Sequence, residues 1–277
     1  MTTTGEIDLD AYFRRIGYTG ARTPVLETLR SIHLQHALSI PFENFAPLLR
    51  HTPRLDLASL EQKLVHARRG GYCFEQNLLL SHVLRRLGFK VTDLAARVAW
   101  NAPPGVVRPR THMLLCVDLE DGRYVADVGF GGLTLTAPLR LAADIEQPTP
   151  HETFRLIAAE GGFAMQALLQ DTWKTLYRFD LQPQLLPDYE LSNWYVATHP
   201  ESHFTLVLMV ALPGPHSRMA LNNNQLTRYT ADAPPQQRLL ETPHELRSVL
   251  RETFGLTLAG TPDVDALLAR LTAPRQA

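Results

Sequence analysis

Residues 68–77 of this 277-residue chain read RRGGYCFEQN, and they mark the start of a helix that separates a helical part from a β-rich part. After the glycine pair, apolar residues recur at helical spacing until Gly88, a residue type that favours helix ends. Cys73 is therefore predicted to lie in the first turn of this helix. The free N–H groups and the positive end of the helix dipole there stabilise a thiolate, which makes Cys73 a candidate nucleophile.

The residues before this stretch are also predicted to be helical. Asp8 can cap a first helix, and Thr23-Pro24 opens a second. Ser59 and Gln62 have the spacing of a capping box, in which two side chains satisfy the free N–H groups of a helix start. Residues 1–88 are thus expected to form an N-terminal helical bundle.

The hydrophobic period changes to two after Gly88. Short β-rich runs separated by Gly, Pro and Asp residues then follow one another, as is typical of antiparallel sheets. The runs are VTDLAARVAW (91–100), HMLLCVDL (112–119), RYVADVGF (123–130), TFRLIAA (153–159), FAMQALLQ (163–170) and TWKTLYRFDL (172–181). Residues 89–195 are predicted to form a central antiparallel β-barrel.

The last part of the chain mixes strand and helix signals. HFTLVLMVAL (203–212) and RMALNNNQLTRY (218–229) are typical of strands, and Thr242-Pro243 and Thr261-Pro262 are typical of helix starts. Residues 196–277 are predicted to form a C-terminal α/β lid. The whole chain is accordingly assigned to the α+β class, with three parts packed as one body.

Composition argues against several functional classes. Lys and Arg number 27 against 28 Asp and Glu, a net charge of −1, so a nucleic-acid partner is not expected. The N-terminal residues do not resemble a signal peptide and no apolar stretch is long enough to span a membrane, which predicts a cytoplasmic protein with no membrane partner. Cys73 and Cys116 are too few for a disulfide framework and are expected to be reduced.

A nucleophilic thiol needs a base, and a predicted hairpin offers one. His112 lies on its first strand, on the same face as Cys116, and Asp127 ends its second strand. Any antiparallel pairing that joins odd to even positions places His112 and Asp127 on one face of the sheet. Cys116 itself, flanked by apolar neighbours in mid-strand, is interpreted as a packing residue.

The register of this hairpin stays open at the level of sequence. A two-residue turn at Asp121-Gly122 would pair Asp127 with Cys116 and set it roughly 13 Å along the strand from His112. A turn between Leu119 and Glu120, or an added bulge, would bring the two side chains opposite each other. The Asp-Gly dipeptide favours the first arrangement.

Five motifs together resemble the arylamine N-acetyltransferase family. They are RRGGYCFEQN (68–77), THMLL (111–115), ADVGFGG (126–132), IPFENF (40–45) and NWYVATHPESHFT (193–205), spread over the first three quarters of the chain. The resemblance implies a helical bundle, a β-barrel and an α/β lid, in agreement with the patterns above. It also implies a Cys-His-Asp triad, carried over onto Cys73, His112 and Asp127.

The resemblance further implies a chemistry and a pocket. The chemistry is ping-pong transfer of an acetyl group, through an acetyl-Cys73 thioester, to aromatic amines, hydrazines or hydrazides, a reaction of xenobiotic metabolism. Acetyl-CoA is implied as the donor substrate, and neither a permanently bound cofactor nor a metal is expected. The residues implied at the acceptor and coenzyme site are Phe42, Val98, Thr111, Gly129, Phe130, Gly131, Gly132 and Phe204.

Two other interpretations of these residues remain open. A hydrolase of the papain or transglutaminase type uses a similar triad, with water or a peptide amide in place of the amine and the thioester. A zinc-binding module could instead use Cys73, His112, Cys116 and Asp127 as ligands. The sequence also leaves open the preferred acyl-CoA, the physiological amine and the oligomeric state.

Overall fold

Helices dominate the first part of the chain, and strands the centre. This computed structural model describes residues 5–103, 105–230, 233–256, 258 and 263–273. Its helices are α1 Leu9–Ile16, α2 Leu26–Ser39, α3 Phe45–Leu48, α4 Leu57–Leu60, α5 Cys73–Arg86, α6 Leu186–Thr198, α7 His203–Leu206, α8 Pro243–Glu252 and α9 Val264–Thr272. A π-helical turn follows α4 at Glu61–His66, and a 3-10 turn lies at Gly131–Leu133.

The strands form two antiparallel sheets. They are β1 Phe42–Glu43, β2 Lys90–Val98, β3 Arg110–Leu119, β4 Gly122–Ala126, β5 Leu139–Arg140, β6 Glu146–Pro148, β7 Thr153–Ala159, β8 Gly162–Leu169, β9 Thr172–Phe179, β10 Met209–Pro213, β11 Arg218–Asn222, β12 Gln225–Thr230 and β13 Ala233–Leu239. One sheet has the order β5-β4-β3-β2-β9-β8-β7-β6, and the other has the order β1-β10-β11-β12-β13.

Helix α5 begins at Cys73, so the prediction that this residue lies in the first helical turn is confirmed. The carboxylate of Glu75 accepts a hydrogen bond from the N–H of Tyr72 at 3.2 Å and caps the helix start. Lys63 in turn donates to Glu75 at 2.7 Å. The helix gives way at its far end to Gly88, whose φ of +90° suits glycine.

The other N-terminal helices follow the sequence signals only in part. Asp8 caps α1 as predicted, because its carboxylate accepts from the N–H of Ala11 at 2.9 Å. The expected capping box of Ser59 and Gln62 is wrong: the carboxylate of Asp56 accepts from the N–H of Ser59 at 3.1 Å, so α4 starts earlier and Ser59 lies inside it. Helix α2 begins later than its Thr23-Pro24 signal, at Leu26, two residues after Pro24.

The eight-stranded sheet curls into a nearly closed barrel, as predicted. An isolated bridge joins Ala143, three residues after the edge strand β5, to Leu156 of β7, the neighbour of the opposite edge strand β6. Cys116, Leu114 and Met165 pack in its interior, so Cys116 lies in the barrel core. Its neighbours at odd positions of β3 pack instead against α5 and the other N-terminal helices.

Helix α6 is a correction to the sequence prediction, which placed all residues up to 195 in a β region. Residues Leu186–Thr198 are helical, and residue 195 lies within the helix. The reason is local: Pro187 stands in the first turn, where it is tolerated, and the carboxylate of Asp188 accepts from the N–H of Leu185 at 2.8 Å. The division at residues 88/89 and 195/196 stays a prediction.

The second sheet also departs from the sequence signals. Its edge strand β1 comes from the N-terminal part of the chain and pairs with β10. The run 203–212 is not one strand, since α7 precedes β10. The run 218–229 is a hairpin of β11 and β12, whose turn includes Asn223 with a positive φ of 53°.

Two C-terminal helices cover this second sheet. Thr242 caps α8 as predicted, since its hydroxyl accepts from the N–H of Glu245 at 3.2 Å. The second predicted helix start, Thr261-Pro262, lies outside the described residues. Leu246, Leu250 and Leu268 pack with side chains of the sheet. Within the described ranges, no helix combines the length and the apolar character that a membrane span requires.

Candidate active site

The β3–β4 hairpin places His112 and Asp127 on one face, but in a register that the Asp-Gly signal did not indicate. Leu119 pairs with Gly122 and Leu115 with Ala126, so the turn is Glu120-Asp121 and the favoured Asp121-Gly122 turn is wrong. Asp121 is held in the turn because its carboxylate accepts from the Tyr124 hydroxyl at 2.6 Å. The next pair of this register would join Asp127 to Leu114, two residues from His112.

The side chains of His112 and Asp127 bridge the two-residue offset between their strand positions. The Nε2 atom of His112 lies 2.7 Å from Oδ2 of Asp127, and both residues are buried. A bulge at Thr111 precedes His112, since Ala96 of β2 pairs with His112 but Arg97 pairs with Arg110. The predicted pairing of these two side chains is therefore present, although the strand positions are not directly opposite.

Asp127 receives four hydrogen bonds and has no exposed surface. His112 and the Tyr177 hydroxyl donate to Oδ2 at 2.7 and 2.9 Å. The Asn77 amide and the N–H of Gly129 donate to Oδ1, both at 2.9 Å. Two donors on each oxygen satisfy the carboxylate in its ionised form and fix its orientation.

Cys73 lies where α5 meets this pair. Its sulfur lies 3.6 Å from the carbonyl oxygen of Thr111, and its side chain is among the neighbours that raise the pKa of His112. Because Nε2 of His112 faces Asp127, Nδ1 is the ring atom left for the thiol. Cys73, His112 and Asp127 thus form one connected chain of side chains.

The charges of the site favour a protonated imidazole. Burial alone lowers the pKa of His112, but the Asp127 carboxylate and the hydrogen bonds to Asp127 and Cys73 outweigh it and raise the pKa to about 10. Burial alone raises the pKa of Asp127, and His112 with the other donors outweighs that effect and lowers it. An imidazolium beside Cys73 is the environment that activates a thiol.

Comparison with known proteins shows to which family the chain belongs. An N-acetyltransferase family model matches residues 25–264. The arylamine N-acetyltransferase of Escherichia coli K12 is 45% identical over 249 residues, which are 90% of this chain and 88% of that protein. The chain belongs to the arylamine N-acetyltransferase family. It is therefore a member of a family of acyltransferases.

Solved structures of this family share the fold. The arylamine N-acetyltransferase of Mycobacterium tuberculosis superposes with a TM-score of 0.92 at 41% identity, over 96% of this chain and all of that one. The Mycobacterium marinum enzyme, solved in complex with CoA, gives 0.91 at 38% identity, over 96% of this chain and 98% of that one. The predicted α+β fold and the predicted family are confirmed.

Aromatic side chains predicted for the pocket lie close to the residues around Cys73 and His112. The ring of Phe204 is 5.6 Å from that of Tyr72, the residue before Cys73, and 6.2 Å from that of Phe42. The ring of Phe130 lies 5.0 Å from that of His112 in an edge-to-face arrangement. In this member of the arylamine N-acetyltransferase family, aromatic rings therefore lie near the start of α5.

The remaining predicted pocket residues differ in how close they lie to Cys73 and to the aromatic rings. Gly129 packs directly on Cys73, because a Cβ placed there would lie 2.7 Å from the Cys73 Cα. Gly131, with a φ of +65°, lies against the ring of Phe42, whereas Gly132 is exposed. Val98 is half-buried at the end of β2 and pairs with Tyr177 of β9.

Sequence reasoning missed several residues that contact the triad. Asn77 lies four residues after Cys73, a spacing that places both on one face of a helix, and it donates to Asp127 and to the carbonyl of Met113. Tyr177 reaches Asp127 from the distant strand β9, and His33 from α2, at 3.2 Å from the Asp127 main-chain nitrogen. Asn77 had a local signal, while Tyr177 and His33 had none.

The zinc interpretation finds no support in the geometry. In the part of the chain that the structure describes, no group of three or more His, Cys, Asp or Glu side chains is placed to hold a metal ion. Cys116, one of the four residues considered, packs inside the barrel among apolar side chains.

Proposed function

We propose that this protein transfers an acetyl group from acetyl-CoA to the nitrogen of arylamines, arylhydrazines or hydrazides, through an acetyl-Cys73 thioester. The observation that carries the proposal is the connected chain of Cys73, His112 and Asp127 at the start of α5. Family membership supports the acetyl transfer, and the CoA complex of the Mycobacterium marinum relative supports the donor.

The first half-reaction acetylates the enzyme. Cys73 and His112 rest as a thiolate–imidazolium pair, with the Cys73 proton already on His112, and the thiolate attacks the carbonyl carbon of the acetyl-CoA thioester. The tetrahedral intermediate collapses as the bond to the CoA sulfur breaks, and His112 returns the proton to that sulfur. N–H groups at the start of α5 are the proposed donors to the oxyanion. Acetyl-Cys73 and CoA thiol are the products.

The second half-reaction regenerates the thiol. The amine nitrogen attacks the acetyl-Cys73 carbonyl, and His112 takes the proton that the nitrogen loses. The carbon–sulfur bond breaks and Cys73 leaves as a thiolate beside the imidazolium. Asp127 keeps the imidazole oriented throughout both halves.

The aromatic surroundings of the thiol favour a flat acceptor. Phe42, Phe204 and Phe130 are proposed to contact the acceptor, together with Val98 at the end of β2. An aromatic amine is uncharged at neutral pH and can pack against rings, whereas an alkylammonium must first lose a proton and its hydration. Thr111 and Gly129 to Gly132 are proposed to lie along the coenzyme side.

Dependence of CoA release on the acceptor tests this function against a hydrolase. A transferase releases one enzyme equivalent of CoA thiol in a burst and then needs an aromatic amine or hydrazine to turn over. Initial rates at varied donor and acceptor should give parallel double-reciprocal lines. Rapid steady-state CoA release without any acceptor would instead identify a thioester hydrolase, and intersecting lines would indicate direct transfer in a ternary complex.

A further inference from the structure

Two histidines of α2 lie beneath the triad without a part in the chemistry above. His33 and His36 are three residues apart, so they project from the same face of the helix, and neither has exposed surface. One contacts the main chain of Asp127, and the other contacts Gln76 of α5. We call them the α2 histidine pair.

His33 acts as a hydrogen-bond acceptor. Its Nε2 atom lies 3.2 Å from the main-chain nitrogen of Asp127, which is a donor. Nε2 must therefore be unprotonated, and the neutral ring carries its proton on Nδ1. That Nδ1 atom is buried and has no hydrogen-bond partner among the described residues.

His36 connects α2 to the loop that precedes the nucleophile. Its Nε2 atom donates to the Gln76 side-chain oxygen at 2.7 Å, and its Nδ1 accepts from the Tyr12 hydroxyl at 2.8 Å. The Gln76 amide nitrogen has three carbonyl oxygens within hydrogen-bond distance, those of Pro41 at 2.9 Å, Ile40 at 3.2 Å and Gly71 at 3.3 Å. Gly71 lies two residues before Cys73, so His36 fixes α2 against the nucleophile loop.

We propose that His33 is a positioning residue of the triad: its imidazole holds the main chain of Asp127, while His36 anchors the same helix to the loop that carries Cys73. The two contacts together set the distance between the nucleophile and the carboxylate. This inference rests on the proposed roles of Cys73, His112 and Asp127.

The protonation state of the pair fits this role. Burial lowers the pKa of His33 to about 4, despite the opposing effect of Asp127, and burial lowers that of His36 to about 3. Both rings are neutral at neutral pH, whereas His112 is protonated. A protonated His33 would present a donor to the Asp127 N–H and could not accept from it.

The unpartnered Nδ1 atom indicates that His33 contributes little to the stability of the folded protein. A buried N–H without a partner destabilises the folded state, because it has lost its hydrogen bonds to water. A leucine at this position would remove that unsatisfied donor but leave the Asp127 N–H without its acceptor. The two effects oppose each other, so we expect His33→Leu to change the melting temperature little and the acetylation rate much.

The test compares single-turnover rate constants for acetylation of Cys73 by acetyl-CoA, followed by mass spectrometry. His33→Leu should react between about tenfold and a hundredfold more slowly than the wild type, because the nucleophile and its partners are no longer held in place. His33→Gln should stay within about threefold, since its side-chain oxygen can accept from the same N–H. Should the leucine variant not fold, His33→Asn replaces it, because its shorter side chain does not reach the Asp127 N–H.

Ile32→Ala is the matched control for a general loss of stability. Ile32 is fully buried on the same helix, and its truncation should lower the melting temperature without slowing acetylation. Wild-type rates in His33→Leu, or equal slowing by His33→Leu and His33→Gln, would overturn the inference and leave the proposed function intact. A wild-type enzyme that forms no acetyl-Cys73 would contradict the proposed function itself, and this inference with it.

Discussion

Asp127 binds the imidazole of His112 at 2.7 Å even though it lies just past the end of β4, two positions out of register with His112. The contact is possible because β4 ends at Ala126, before Asp127, and because three further donors fix the carboxylate there. The orientation of the His112 imidazole therefore depends on residues from α5, β9 and the loop after β4, as well as on the hairpin.

Replacement of Asp127 by Asn tests that orientation. The amide has a similar shape but no charge to stabilise the imidazolium, so turnover should fall on the order of a thousandfold. Asp118→Asn on the exposed end of β3 is the control and should keep wild-type turnover. A folded Asp127→Asn enzyme with most of its activity would mean that another group orients His112.

The reactivity of the two cysteines should differ strongly. Cys73 lies at a helix start beside His112, while burial in the barrel core raises the pKa of Cys116 to about 11. Brief treatment with iodoacetamide, followed by peptide mapping, should label Cys73 much faster than Cys116. Labelling of both at one rate, or mainly of Cys116, would remove Cys73 as the nucleophile.

The sequence predicted those parts of the site that local signals define. The glycine pair and the apolar pattern placed Cys73 at a helix start, and strand alternation put His112 and Asp127 on one face. The exact register failed because it depends on the contacts that hold Asp121 in the turn, which no dipeptide pattern reports. Tyr177 and His33 meet Asp127 from distant parts of the chain, so only tertiary packing reveals them.

In the fold, too, the elements with clear local signals were predicted and those that depend on distant contacts were missed. Barrel strands with clear alternation, such as β7 and β8, were predicted within a residue or two. Helix α6 was missed because its periodicity is weak and its start is marked mainly by Pro187 and Asp188. The pairing of β1 with β10 joins residues far apart in the chain, and a two-residue strand carries too short a pattern to be recognised.

Gly129→Ala should test how tightly the loop after β4 packs on the nucleophile. The new methyl group would lie 2.7 Å from the Cys73 Cα and 2.8 Å from the Asn77 amide nitrogen, so the loop and α5 must separate. Acetylation of Cys73 should slow by about a hundredfold. Gly214→Ala, whose methyl group would lie 3.5 Å from its nearest neighbour, should react at the wild-type rate. Equal acetylation rates for the two variants would show that the close packing of Gly129 on Cys73 does not affect acetylation.

The α2 histidine pair should make the fold sensitive to acid. Both pKa values lie below the unfolded value of about 6.5, so the unfolded chain takes up protons first and stability falls as the pH drops below 6.5. The raised pKa of His112 has no effect in this window, because it is protonated in the folded state and its contribution is lost only as pH rises towards 10.

Urea unfolding at pH 6.5 and pH 5.0 measures this effect. The free energy of unfolding should be lower at pH 5.0 by about 3 kcal/mol, and a His36→Gln variant should show about half of that difference. An unfolding free energy that does not change between the two pH values would mean that the pair is protonated in the folded protein.

Whether Cys73 carries the acetyl group is measured most directly by the intact mass of the enzyme after mixing with acetyl-CoA in the absence of an amine. The wild type and a Cys116→Ala control should each gain one acetyl group, located on the peptide that contains Cys73, and an arylamine or hydrazine should remove it. Cys73→Ser should gain nothing, because an unactivated hydroxyl replaces the thiolate. An enzyme that acetylates an arylamine from acetyl-CoA without ever carrying an acetyl group on Cys73 would rule out the acetyl-Cys73 intermediate.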